Sequence, residues 1–293
     1  METFPIRQLT RAEFPPLLFE IPDRPTTLFV RGAVAPWGDR AFLAVVGSRH
    51  YTQYGKEVTR ALIAGLRGYP VTILSGLAIG IDGLAHEAAL EYGLPTIAIP
   101  GSGLGDHVLY PRQHRALAER ILREGGCLLS EFESDFHATR WSFLKRNRIM
   151  AGMSHATLIV EAGEKSGTLV TARLAMEYNR EVLTVPGSIF SKNSFGPHIL
   201  IRDGATPVTT SADILEALGF KDIGTPPTPD LFSSCSPEEK SVLALLHEPL
   251  AKDDLIRLLP MSTSDANILL TLMELKGLIR EYNGTLSVAV IDP

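Results

Sequence analysis

From about residue 40 the chain alternates short apolar runs with longer segments in which apolar residues recur every three or four positions. The runs at 42–46, 71–74, 96–99, 127–130, 157–160 and 182–185 have the length and composition of strands. The segments at 58–66, 79–92, 113–123, 144–152 and 169–178 carry a helical period. Strands this short, alternating with helices, imply a parallel sheet covered on both faces. The predicted architecture is a Rossmann-like, doubly wound α/β fold over residues 37–218.

The flanks read differently. Residues 1–36 include Pro5, Pro15, Pro16, Pro22, Pro25 and Pro36, a density that breaks helices. They read as a proline-rich N-terminal extension with a short edge strand at 28–31. After a short segment at 214–218, residues 219–235 contain Thr225-Pro226-Pro227-Thr228-Pro229 and read as a stiff linker. Residues 236–293 carry a second pattern. Ser236-Pro237-Glu238-Glu239 supplies a hydroxyl cap, a proline at the first helical position and an acidic first turn. Helical segments follow at 253–259 and 264–276, then strands at 278–281 and 286–290 around Asn283-Gly284. Three helices and a terminal hairpin describe a small winged-helix domain.

Charge narrows the range of partners. The chain has 293 residues and a formal net charge of −5. That argues against a protein held to duplex DNA by a broad basic surface, yet leaves room for a local cationic pocket. Two cysteines, Cys127 and Cys235, stand far apart with no metal-ligand spacing, which fits a reducing compartment. No secretion signal and no bilayer-length apolar run is visible, so a cytoplasmic location without membrane attachment is expected.

In an open parallel sheet, ligands bind beyond the C-terminal ends of the strands. Five loops at those positions carry candidate chemistry. Gly47-Ser48-Arg49 offers a tight turn, a hydroxyl and a guanidinium able to clamp a phosphate; the plainer reading is a solvated arginine on an ordinary turn. Ser75-Gly76-Leu77-Ala78 leads into a helix whose N-terminus suits an anion, although the dinucleotide fingerprint is absent. Asp82 and His86, four apart on that helix, could be an acid–base pair, but a structural contact at the helix start is favoured. Pro100-Gly101-Ser102-Gly103-Leu104-Gly105 implies close backbone approach to a ligand, or simply a flexible loop. The segment Trp141 to Arg148 is the densest basic cluster, interleaved with aromatics. Phe143 could stack a base while Lys145, Arg146 and Arg148 hold phosphates, with Asn147 beside them; otherwise the aromatics are core and the cations solvated. Finally, Lys165-Ser166-Gly167-Thr168 resembles the tail of a phosphate-binding loop without the full Walker spacing. No credible catalytic triad, metal cluster or pair of carboxylates accompanies these loops, so neither catalysis, a metal nor a cofactor is expected.

Taken in order, Gly47-Ser48-Arg49, Ser75-Gly76-Leu77-Ala78, Gly80-Ile81-Asp82, Arg146-Asn147-Arg148-Ile149, Ser166-Gly167-Thr168, Val185-Pro186-Gly187-Ser188 and Leu200-Ile201-Arg202-Asp203-Gly204-Ala205 resemble the DprA/Smf family of DNA-processing proteins. The resemblance spans roughly residues 28–218, and more weakly the winged helix. It implies a homodimer, formed through the Rossmann-like domain, that binds single-stranded DNA during natural transformation and loads the RecA recombinase onto it. It further implies that Arg49, Phe143, Lys145, Arg146, Arg148 and Lys165 contact DNA, with Ser75, Gly76 and Ser102 adding contacts from their loops. Three departures from the family stand out: Ile79 occupies a position where many members carry arginine, the usual N-terminal helical domain is missing or reduced, and Trp141-Ser142-Phe143-Leu144-Lys145 precedes the Arg-Asn-Arg motif in an unusual form.

Two alternatives remain. A nucleotide phosphoribohydrolase of a related Rossmann-like group would carry Pro-Gly-Gly-x-Gly-Thr-x-x-Glu, but the matching stretch, Glu161 to Thr171, lacks the double glycine and the downstream glutamate. A regulator whose main domain senses a nucleotide while its winged helix reads duplex DNA would need a basic third helix, and residues 264–276 offer only Lys276 against Asp265 and Glu274.

Overall fold

The computed structural model describes residues 4–34, 37–38, 40–220, 235–246, 250–276, 278–282 and 284–288. It divides into two compact units, Met1–Ile223 and Gly224–Pro293. The linker expected at 219–235 lies almost wholly outside the described residues.

In chain order the first unit holds strands β1 (Ile6–Gln8), β2 (Phe29–Gly32), β3 (Ala41–Val46), β4 (Val71–Ser75), β5 (Thr96–Ala98), β6 (Cys127–Ser130), β7 (Ala156–Ile159), β8 (Glu181–Thr184) and β9 (Thr206–Pro207). Its helices are α1 (Gln53–Ala64), α2 (Ile81–Glu91), α3 (Arg115–Arg123), α4 (Arg140–Met153), α5 (Thr168–Glu177), α6 (Phe195–Arg202) and α7 (Ser211–Ala217). The strands form one sheet in the order β1-β2-β6-β5-β4-β3-β7-β8-β9. From β6 to β9 every pairing is parallel. Strand order therefore runs outward in both directions from β3, and the reversal falls between β3 and β7.

The apolar run at 42–46 is explained by its two-sided burial. Phe42, Ala44 and Val46 join a core with α4 and α5, while Leu43 and Val45 join one with α1, α2 and α7. A third cluster packs α3 on Ala98 and Leu128. No helix among the described residues is long and apolar enough to cross a membrane.

Residues 1–36 are not an extension ahead of the fold. β2 pairs antiparallel with β6, and β1 pairs with β2, so the strand expected at the edge is one place in from it. Leu9, Phe14, Leu18, Ile21, Leu28 and Val30 belong to the same core as α4. Proline density breaks helices, but it does not prevent apolar side chains between the prolines from docking on a neighbouring layer.

Two helices begin earlier than the apolar periodicity predicts. α1 starts at Gln53, where the Thr52 hydroxyl caps the Gly55 amide. α4 starts at Arg140, where Thr139 and Ser142 exchange capping hydrogen bonds. The first turn of α1 is largely polar, and that of α4 carries Trp141 and Phe143 two apart, which is not a helical spacing, so only the caps mark them.

The second unit is the winged helix. It comprises α8 (Pro237–Leu245), β10 (Leu250–Ala251), α9 (Lys252–Leu258), α10 (Thr263–Leu275), β11 (Ile279–Tyr282) and β12 (Thr285–Val288). Ser236 caps α8 and exchanges hydrogen bonds with Glu239. The strands pair in the order β10-β12-β11. Gly284, between β11 and β12, has a φ of 76°, which an L side chain rarely adopts. Val242, Leu255, Leu270 and Met273 are buried in this unit's own core.

Candidate nucleic-acid interface

The C-terminal ends of β3 and β7 face an open cavity of about 630 Å³. This is the point where strand order reverses, the place at which doubly wound sheets take ligands. Residues 47–50 from the loop after β3 form one wall, and Gly163 with Lys165 to Thr168 from the loop after β7 form another. The third is a face of α4 bearing Arg140, Phe143, Leu144 and Asn147, spaced so that they share one side of a helix. Gly47 is required here: a Cβ on it would lie 2.6 Å from the Ile81 side chain, so strand and helix close the floor only without one.

The rim combines an aromatic ring with unpaired cations. The Arg49 guanidinium lies 5.5 Å from the centroid of the Phe143 ring, which also packs against Tyr110, at 5.5 Å, and against Gly101. Arg49, Arg140 and Lys165 are exposed, and none has an ion-pair partner among the described residues. His50 and Asn193 complete the edge. An arginine stacked on an aromatic face keeps its donors available for phosphate while the ring remains available to a base.

Beneath the rim the loops are tied down. Glu161, 4% exposed, accepts from the Thr52 amide at 2.9 Å, from the Thr52 hydroxyl and from Asn193 Nδ2 at 3.2 Å. Asn193 also donates to the His50 carbonyl at 2.7 Å. The loop carrying Arg49 is thus fastened to two other loops by one buried carboxylate. Thr168 donates to the Gly47 carbonyl at 3.1 Å, and the Ser166 hydroxyl accepts from the Thr168 amide at 3.2 Å. The amides of Ser166, Leu169 and Val170 are likewise satisfied within the loop. Here the cationic and aromatic side chains, more than a nest of backbone amides, are what an anion would meet.

Several residues expected at the site are held in contacts of their own, Arg146 and Asn147 while also lining the cavity. Ser75 is fully buried and donates to the Val45 carbonyl at 2.6 Å. The Gly76 amide donates to Asp82, and its carbonyl accepts from Arg146. Ser102 is buried in bonds to its own loop, with its hydroxyl accepting from the Tyr110 amide. The four polar residues of the basic cluster separate around the helix. Arg146 is buried under the cavity and donates to the carbonyls of Gly76 and Ile99, joining the ends of β4 and β5. Asn147 donates to Gly167 at 3.4 Å. Lys145 and Arg148 face away from the cavity, where both pair with Glu131, at 3.1 and 2.5 Å. At 100° per residue, four consecutive side chains cannot share one face.

Burial shapes the ionisable groups below the cavity. Desolvation pushes the Asp82 carboxyl above the usual carboxylate range, with the Arg146 charge opposing it. Desolvation also lowers the Arg146 guanidinium to about 10 and the His86 imidazole to about 3. Asp82 is bonded to the Gly76 amide and His86 to Thr96 Oγ1 at 2.7 Å, each a structural contact. Arg140, His50 and Asn193 were not singled out from sequence. Arg140 had a signal, since it lies three residues before Phe143 and seven before Asn147, which becomes visible once Thr139 is recognised as a cap.

The chain matches the model of the DNA recombination-mediator protein A family over residues 6–219 and that of the DprA winged helix domain over 225–285. It is 44% identical over 238 residues to the protein Smf of Escherichia coli, covering 81% of this chain and 63% of that one. The chain thus spans under two thirds of that relative's length. It is 36% identical to the DNA processing protein DprA of Bacillus subtilis, covering 76% of this chain and 73% of the relative. Among solved structures, DprA from Streptococcus pneumoniae superposes with a TM-score of 0.66 at 37% identity, covering 73% of this chain and 74% of that one. DNA processing protein A from Helicobacter pylori, described for its single-stranded DNA binding mode, also superposes at 0.66, with 29% identity over 73% of this chain and 96% of that one.

Proposed function

The chain belongs to the DprA/Smf family of DNA-processing proteins, and from that we propose that it binds single-stranded DNA in the cavity at the ends of β3 and β7 and assists RecA loading onto that strand during natural transformation. One observation carries the reading: the Arg49 guanidinium set over the Phe143 ring, with Arg140 and Lys165 unpaired on the same rim. Phosphates meet Arg49, Arg140 and Lys165, and a base stacks on Phe143. The Helicobacter pylori relative, whose structure concerns single-strand binding, supports this assignment. The family's description as a recombination mediator supports the step to RecA.

We also propose that the protein is a homodimer, and a second surface of the same unit supports this. Ile189 and Phe190, in the loop after β8, are 80% and 91% exposed, and Phe195 on α6 is 42% exposed. An apolar cluster this open marks a surface that meets another protein. Two cavities on one strand raise affinity through effective concentration.

Equilibrium binding of fluorescent single-stranded and duplex oligonucleotides tests the site. Wild type is expected to prefer the single strand, with Arg49→Glu and Lys165→Glu each losing about tenfold or more. Charge reversal at Lys56, on α1 and away from the cavity, serves as the control. Equal losses at Arg49 and Lys56 would sink the cavity assignment. RecA loading is tested separately, by the lag before RecA filaments form on the strand with and without the protein; an unchanged lag removes that part of the reading.

A further inference from the structure

A second aromatic–cation surface lies on the opposite side of α4. Trp141 is 57% exposed although it stands in the first turn of an ordered helix. The Lys145 ammonium lies 4.9 Å from the centroid of the Trp141 indole and 5.5 Å from that of Phe132. Phe132 is itself stacked on Phe136 at 4.3 Å and packs against Trp141 at 6.0 Å. Glu131, nearly buried, holds Lys145 from behind at 3.1 Å. The indole is thus braced by a cation and an aromatic pair while more than half of it stays open.

Bracing matters because a stacking side chain that is already ordered loses little entropy on binding. An aromatic face with cations around it suits a base flanked by phosphates, and it discriminates poorly among bases. The route to the cavity is short. A helix with its side chains is about 10 Å across, and Arg140 and Leu144, both exposed and both lining the cavity, lie between the two faces on the first two turns of α4. From these placements we infer that Trp141, braced by Lys145, is a second base-stacking station, reached when a single strand leaves the cavity over the N-terminal turn of α4. This extends the single-strand reading above and rests on it.

The path makes binding depend on oligonucleotide length. A strand of about 6 nucleotides occupies the cavity, whereas one of about 20 also reaches Trp141. Phe143→Ala is expected to weaken both lengths. Trp141→Ala is expected to weaken only the longer one, about tenfold, with Trp141→Phe restoring most of the loss. The chain has two tryptophans, so Trp37→Phe leaves the Trp141 indole as the sole emitter of its kind. Its fluorescence is expected to quench on adding the long strand and to change little with the short one. If Trp141→Ala binds the long strand as wild type does and the indole is not quenched, the station does not exist. Wild-type binding at neither length removes both this inference and the reading beneath it. Short-strand binding that depends on Phe143, without an effect of Trp141 at either length, removes this inference alone.

Discussion

Glu161 shows how a buried carboxylate can brace a cationic rim without facing it. A carboxylate beside bound phosphate is repulsive, yet this one is buried and turned toward donors on Thr52 and Asn193. Glu161→Ala leaves those donors without their acceptor, at a cost of about 2 kcal/mol in urea unfolding. Because Thr52 and Asn193 also steady the loop carrying Arg49, the variant is expected to bind single strands several-fold more weakly with the cationic rim unchanged. Wild-type affinity in a folded Glu161→Ala protein would mean that the loop holds itself. His86 gives a pH prediction of definite sign. Its folded pKa of about 3 lies below the unfolded value of 6.5, so the unfolded chain binds the extra proton between them. Stability from this group is full above pH 6.5 and falls as pH drops toward 3. The unfolding free energy of wild type minus that of His86→Gln should therefore fall by about 1 kcal/mol from pH 7.5 to 5.5. The raised Asp82 pKa acts in the opposite direction but is present in both proteins, so the difference between them isolates the histidine. At this scale the sequence shows residue types but not their direction. Ser75 and Ser102 look the same whether they point at a ligand or at their own backbone, and only burial distinguishes the two. Arg49, Phe143 and Lys165 were legible because the ends of β3 and β7 and the helical spacing of α4 leave them facing the cavity.

The element that organises the site is α4. One face meets the cavity, one carries Trp141 and Lys145, and its C-terminal half rests on the N-terminal segment. A Cβ on Gly152 would lie 2.8 Å from Ile21 and 3.2 Å from Leu18, so the two layers touch almost at backbone distance. Leu18 is 1% exposed. Leu18→Ala is expected to cost about 2–5 kcal/mol, measured as a lowered urea midpoint. A near-neutral result would mean that residues 1–36 are the loose extension the proline content suggests. The strands and helices themselves were readable because two-sided burial makes a strand apolar throughout and one-sided burial gives a helix its period. The first turns of α1 and α4 are not legible as helix because they lack an apolar repeat at helical spacing and are held by caps. The loss mattered, since the missing turn of α4 contains Arg140. α6 went unread for a different reason: its exposed Phe195 and its proline obscure the period.

Each of the two units has its own core, and the cavity residues all lie in the first. A chain ending at residue 223 should therefore keep its affinity for a short single strand, and a large loss would assign part of the binding to the winged helix. α10 is an unpromising reader of duplex DNA: Lys276 at its end is paired with Glu239 at 2.7 Å, while Ile268, Leu272 and Leu275 are exposed along it. The whole molecule is acidic, and the cations of the cavity rim stand against that background. Neutralising three phosphates predicts a slope of roughly −2 for log affinity against log salt. The same imbalance bears on time as well as on affinity. Beyond a Debye length of about 8 Å a polyanion meets mainly the repulsive field of the body. Capture should then run at the unsteered rate of about 10⁵–10⁷ M⁻¹s⁻¹, and added salt should shorten the lifetime of the complex far more than it slows its formation.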